Sequence, residues 1–220
     1  MGLSFKSKIT TVPSHVDSRE SKTVFSNKVT FDSDVTKAET ALKGFQFQYD
    51  DGDQNFGKET VGASSGSFDG KKVSYQVVSH FCDLDNESSF HGFVSTLVLA
   101  DTAGFAGPHP TVTDFKSTRI TFDASPKASR ELPGSVHFQR PVKWAQAMLQ
   151  GFNMEYVNTD QDFFLQRVGV HNVTVEGDVV NFEAYFTLED VMVARGEDPA
   201  KSDKQVRGSI DVVVLAALES

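Results

Sequence analysis

Among the residues able to do chemistry, two acid–amide pairs stand out. Asp53-Gln54 and Asp160-Gln161 are identical in two loops whose other residues differ. A carboxylate in a turn can offer oxygen to a cation or to a ligand hydroxyl. It can equally cap its own turn by accepting from backbone N–H groups, and both readings stand. The run Asp50-Asp51-Gly52-Asp53 lacks the Asp-x-Asp-x-Asp-Gly order of a calcium loop, so no calcium site is expected there. Gly62-Ala63-Ser64-Ser65-Gly66 matches the Gly-x-Ser-x-Gly of a nucleophile elbow, but that motif needs a strand before it and a helix after it. Ser67-Phe68-Asp69-Gly70 cannot begin a helix of useful length. His15, His80, His91, His109, His137 and His171 are scattered, with no ligand spacing that recurs, so neither zinc nor another metal cofactor is expected. Cys82 has no basic neighbour to lower its pKa, and a reactive thiol is not indicated. Trp144 follows Pro141-Val142 as the only tryptophan. It could stack on a sugar face or a neighbouring subunit, or sit half buried in its own core.

The framework that must position these residues occurs twice. An offset of 107 carries Val29 to Val136 and Val61 to Val168, and 12 of the 33 positions in that window are identical, including Gly44-Phe45 with Gly151-Phe152. Unrelated segments would agree at roughly one position in sixteen. Upstream, Lys8-Ile9-Thr10 answers Arg119-Ile120-Thr121 at offset 111. Downstream, Val98-Leu99-Ala100 answers Val214-Leu215-Ala216 at offset 116, and the extra residues of the second repeat fall near 194–201. The chain is therefore read as repeat one at 1–103, a linker rich in Gly and Pro at 104–116, and repeat two at 117–220. Each repeat is long enough for a modest core of its own.

Within each repeat the pattern is that of short strands. Ile9–Val12 reads as a strand stopped by Pro13, and Thr23–Phe31 as a half-buried one. Phe45, Phe47 and Tyr49 alternate with Gln46 and Gln48, and the pattern returns at Phe152, Met154 and Tyr156. Residues 35–43 and 142–150 also have helix-like spacing, with strand the favoured reading. Turns are expected at 50–55 and 64–70, and the apolar runs Phe93–Ala100 and Ile210–Leu218 are expected at the centres of their sheets. The fold class is all-β, two tandem homologous antiparallel β-sandwich domains.

Composition narrows the partners. The formal charge of −9, without a Lys/Arg cluster, repels a phosphate backbone, so nucleic acid is not an expected partner. No apolar run approaches the length of a membrane span, and no membrane insertion is expected. A single cysteine excludes an intrachain disulfide. The N-terminus lacks an apolar signal region, so synthesis in the cytoplasm is expected, with export by another route left open.

The second repeat resembles the H-type lectin domain, a small six-stranded antiparallel β-sandwich. The likeness rests on Arg130-Glu131-Leu132, Val136-x-Phe138-x-x-Pro141-Val142, Asp160, Arg167-Val168-x-Val170-x-Asn172-Val173-Thr174-x-x-Gly177 and the terminal strand Ile210-Asp211-Val212-Val213-Val214. The resemblance implies binding of an N-acetylgalactosamine-type sugar at a groove between subunits of a trimer or hexamer. It implies a sugar contact from Arg167, whose counterpart in repeat one is Thr60, and it puts the family's Trp-His pair near Phe186-Thr187.

No nucleophile, base and oxyanion donor come together in the sequence, so a non-enzymatic binding protein is expected. Its reading is lectin-like and oligomeric, with a glycan ligand and with Asp160, Gln161, Arg167, Trp144, Asp53 and Gln54 as candidate contacts. The alternative is an assembly subunit of a larger particle or filament, packing by self-association without sugar binding.

Overall fold

The computed structural model describes residues 2–17, 22–49, 55–82, 89–102, 112–127, 129–157, 161–190 and 205–219. Among the described residues thirteen strands follow one another: β1 (Gly2–Asp17), β2 (Thr23–Thr30), β3 (Val35–Tyr49), β4 (Asn55–Phe56), β5 (Lys58–Asp69), β6 (Lys72–Cys82), β7 (Ser89–Thr102), β8 (Val112–Ser125), β9 (Ser129–His137), β10 (Val142–Val157), β11 (Gln161–Glu176), β12 (Val179–Asp190) and β13 (Gln205–Leu218). All pairings are antiparallel. They build sheets of order β1-β7-β3, β2-β6-β5-β10-β13-β8 and β4-β11-β12-β9. The strand reading of 35–43 and 142–150 holds, because both segments lie inside long paired strands. Among the described residues no helix is long and apolar enough to cross a membrane.

The duplication is written into the register. Gly44 pairs with Ser95 and Gly151 with Asp211, and the irregularities between Val35 and Lys37 and between Leu42 and Gly44 recur between Val142 and Trp144 and between Leu149 and Gly151. Val61 faces Ser79 as Val168 faces Phe186. The β5–β6 and β11–β12 turns are closed alike: Phe31 and Val35 donate to the Lys71 and Gly70 carbonyls, and Phe138 and Val142 to those of Asp178 and Gly177. Gly70 and Gly177 both lie in the left-handed region, at φ 53° and 63°, where a side chain would be strained. Each repeat thus folds as two three-stranded sheets facing one another, packed through Phe47, Phe81 and Phe90 in the first and Phe122 and Phe186 in the second. The apolar strands β7 and β13 are central, as a strand buried on both faces requires.

Four expectations are corrected. Pro13 does not end the first strand: β1 lies at the edge of its sheet, and its ladder breaks between Val12 and Val16, where a missing N–H costs nothing. The offset at that strand is 110. Phe5 pairs with Leu99 as Phe115 pairs with Leu215, so the counterpart of Ile120 is Thr10 and not Ile9. A shift of one residue changes the face of every side chain, and Ile9 is accordingly exposed while Ile120 packs on the core. Residues 64–69 continue β5 through an irregularity between Ser65 and Ser67, which leaves the turn to Gly70-Lys71. Within the expected linker, Val112–Lys116 is already strand and pairs with the end of β13. Residues 103–111, residues 50–54 of the turn expected at 50–55 and the insertion at 194–201 lie outside the described residues, whereas Asn55 already belongs to β4.

The largest departure concerns the core. Two separate cores were expected; instead, buried residues of both repeats form one continuous cluster. Equivalent residues meet where the repeats join. Phe45 and Phe152 lie with ring centroids 5.1 Å apart, Gln166 donates to its own counterpart Glu59, and Asn55 pairs with Asp162 in the β4–β11 ladder. Self-pairing of this kind marks an approximate twofold relation, as in an isologous dimer interface. A smaller cluster of Leu99, Phe115 and Leu215 backs it, with Gln150 donating to Glu39 nearby at 3.0 Å. The symmetry is incomplete. The β5–β10 ladder joins five residue pairs, whereas β3, the counterpart of β10, has β7 as its only described ladder partner.

Candidate functional site

The β5–β10 ladder sends Val61, Phe152, Glu59 and Met154 inward, and Gly62, Gly151, Thr60 and Asn153 to the outer face. Across the six-stranded sheet the register runs Val78, Gly62, Gly151, Asp211, Arg119 in one row. The two glycines leave that row without side chains in the middle. They also allow the strands to approach: a Cβ on Gly151 would stand 2.9 Å from the Gly62 Cα and 3.0 Å from the Val61 carbonyl oxygen. The result is an open groove of about 550 Å³ across the junction of the repeats.

Its walls are polar. Arg119 grips Asp211 with one edge of its guanidinium, Nε donating to Oδ1 at 2.6 Å and a terminal nitrogen to Oδ2 at 2.9 Å. Hydrogen bonding and charge from Asp211 together hold the Arg119 pKa above its ordinary value. Thr60 donates to the Asn153 amide oxygen at 2.8 Å, and Gln150, Ser64, Ser209, Lys22 and Lys58 complete the rim. Beside it, burial pushes the Glu155 carboxyl up, but Lys58 at 2.9 Å and Arg207 outweigh this and hold it below the usual range. Carboxylate, amide, hydroxyl and guanidinium groups on a glycine floor offer both donors and acceptors to a ligand rich in hydroxyls. Among the described residues no histidine or cysteine lines the groove, and none there pairs a nucleophile with a base.

The residues singled out from sequence are dispersed. Trp144 is 52% exposed and lies near the start of β10 beside Ala217, which favours the exposed reading over the buried one. Arg167 is exposed on β11, in a different sheet, with Thr187 as its ladder partner. Neither lines the groove, although Thr60, the counterpart of Arg167, does. The Gln161 backbone pairs with Phe56. Asp53, Gln54 and Asp160 lie outside the described residues. Phe186 points into the core and Thr187, on the opposite face, is covered with its hydroxyl hydrogen-bonded to Ser129, so neither residue at the Trp-His position of the lectin pattern is exposed here. The Gly-x-Ser-x-Gly run lies along strand β5, with no helix after it.

Sequence reasoning missed two features. Arg130, noted only as part of a pattern, is a sandwich clamp: it donates to the Val206 carbonyl at 2.7 Å and to that of Asp123, and stacks over Phe186 at 4.7 Å and Phe122 at 5.6 Å. Burial lowers its pKa. The second is a trio able to hold a metal, Glu131, His171 and Glu183, whose ligand atoms lie within 4.8 Å of one another. The three are 12 to 52 positions apart in sequence, and only strand register brings them together.

Comparison with protein-family models, with curated proteins and with solved structures finds no match to this chain.

Proposed function

We propose that the protein is a non-catalytic, lectin-like binding protein whose ligand is a saccharide held in the groove between the repeats. The observation that carries this reading is the row Gly62, Gly151, Asp211, Arg119, flanked by Thr60 and Asn153, because it sets an oriented carboxylate, a hydroxyl and an amide over a floor cleared of side chains. A pyranose ring could lie on that floor while its hydroxyls exchange hydrogen bonds with Asp211, Asn153 and Thr60. A glycan array probed with the whole protein tests the reading. Binding to a restricted set of sugars, lost in Asp211→Ala and kept in Trp144→Ala, supports the groove. Silence across the array, or binding unaffected by Asp211→Ala, removes it.

A specific observation also favours the assembly reading. Phe5 and Ile9, 50% and 65% exposed, lie four residues apart on β1, an edge strand, and so share one face. Light scattering over a concentration series distinguishes the cases: a strict monomer excludes the assembly subunit and leaves the saccharide reading intact.

A further inference from the structure

The four-stranded sheet carries, on its outer face, a site unrelated to the groove. His171 on β11 and Glu183 on β12 are direct cross-strand partners. Two residues on from Glu183, Tyr185 faces both Glu131 of β9 and Gly169 of β11. The four side chains therefore project from one face. Gly169 clears the space Tyr185 occupies, since a Cβ there would stand 2.7 Å from the tyrosine oxygen. The Tyr185 ring in turn meets the His171 ring edge-on at 4.9 Å.

We propose that Glu131, His171 and Glu183 form a binding site for a divalent transition-metal ion of the Zn²⁺ class. The His171 Nε2 stands 3.4 Å from Glu131 Oε1 and 3.6 Å from Glu183 Oε2. Both separations exceed the 2.7–3.2 Å of an N–H···O hydrogen bond. They match the edge of a tetrahedron of ligands about one ion, about 3.3–3.5 Å when metal–nitrogen and metal–oxygen distances are about 2.0–2.1 Å. That Nε2 is shut off from solvent and makes no hydrogen bond, although the imidazole as a whole is part exposed. A polar atom so placed between two carboxylates is accounted for by an ion that all three share. An imidazole and two carboxylates neutralise a divalent charge and are ligand types that zinc accepts.

The surroundings fit the same role. Asn172 is the one non-glycine residue with positive φ among those described, at 52°, and its amide donates to Glu183 Oε2. It thus holds the same Glu183 oxygen that faces His171, as hydrogen-bond partners of metal ligands do. Glu183 and Asn172 also border an open hollow of about 580 Å³ lined by Ser135, Thr174 and Asn181. The first repeat carries Val24, Ser64 and Gln76 at the matching positions, so one site per chain is expected.

Isothermal titration of the whole protein with zinc chloride, supported by the visible absorption of the Co²⁺ form, tests the proposal. The expected result is one ion per chain with a tetrahedral cobalt spectrum. His171→Ala and Glu183→Gln should each abolish binding, and Asn172→Ala should weaken it about 10–100-fold. Gln76→Ala, at the matching position of repeat one, should leave it unchanged. Circular dichroism confirms folding of each variant, and His171→Gln stands in should the alanine variant not fold. Absence of binding, or a stoichiometry and affinity that survive both substitutions at position 171, overturns the site.

Discussion

Replacing Glu59 with Gln probes the junction of the repeats directly. The Glu59 side chain is 1% exposed, opposite Met154 on one side and Phe81 on the other, and its one described hydrogen bond is from Gln166. Burial pushes its pKa from 4.5 up to about 8, with the Gln166 hydrogen bond opposing the shift. Below pH 4.5 the carboxyl is protonated in both the folded and the unfolded chain. Between 4.5 and about 8 only the folded state holds the proton, so unfolding releases it and stability falls as pH rises. Above that window both states are ionised and the loss levels off. At about 1.4 kcal/mol per pH unit, the deficit is roughly 3 kcal/mol at pH 7 and about 5 kcal/mol at pH 8 and above. That is a large share of the roughly 5–15 kcal/mol by which domains are stable. A glutamine has the shape of the protonated acid and no proton to lose. Urea unfolding followed by far-UV circular dichroism should therefore place E59Q within about 1 kcal/mol of the natural chain at pH 5. At pH 9 E59Q should be the more stable, with its midpoint higher by roughly 1–2 M urea. A difference between the two proteins that is the same at pH 5 and pH 9 would refute the reasoning, because Glu59 would then be charged and solvated in the fold.

Three further substitutions separate the repeats and the sheets. Gly151→Ala drives a methyl group against the Gly62 Cα and the Val61 carbonyl and should cost about 1–3 kcal/mol in chemical denaturation. Gly44→Ala, at the matching position of repeat one, meets nothing within 4 Å and should stay within about 0.5 kcal/mol. Equal effects would mean that β10 does not pair with β5 in solution. Arg130→Lys keeps a positive charge but cannot bridge the Asp123 and Val206 carbonyls while lying over two rings. A loss of roughly 2 kcal/mol is expected in the same assay, and an unchanged midpoint would show that Arg130 is not the clamp described.

The doubled architecture was legible because hydrophobic periodicity and turn glycines are local signals. Phe45-x-Phe47-x-Tyr49 and Phe152-x-Met154-x-Tyr156 reveal strands without reference to any partner, and Gly70 and Gly177 mark turns by a backbone angle that other residues resist. The slip at β1 arose where the sequence held two competing alignments. Phe5-Lys6-Ser7 with Phe115-Lys116-Ser117 gives offset 110, Ile9-Thr10 with Ile120-Thr121 gives 111, and pairing with β7 and β13 decides for the first. The groove was not legible. Gly62 appeared within a supposed catalytic motif and Gly151 as a mark of the repeat, and nothing local says that they face one another across 89 positions.

The amino-acid sequence by itself determined that the protein is all-β, that it is built twice on one pattern, and that the apolar strands β7 and β13 sit inside their sheets. These follow from alternation, repetition and uninterrupted apolar runs, each a property of neighbours along the chain. Only the tertiary structure decided that the two repeats share a single core, that Glu59 is buried against Gln166, and that Glu131, His171 and Glu183 converge. Those depend on how sheet edges and faces meet, which is set by the summed burial of side chains distant in sequence and leaves no periodic trace in any one segment.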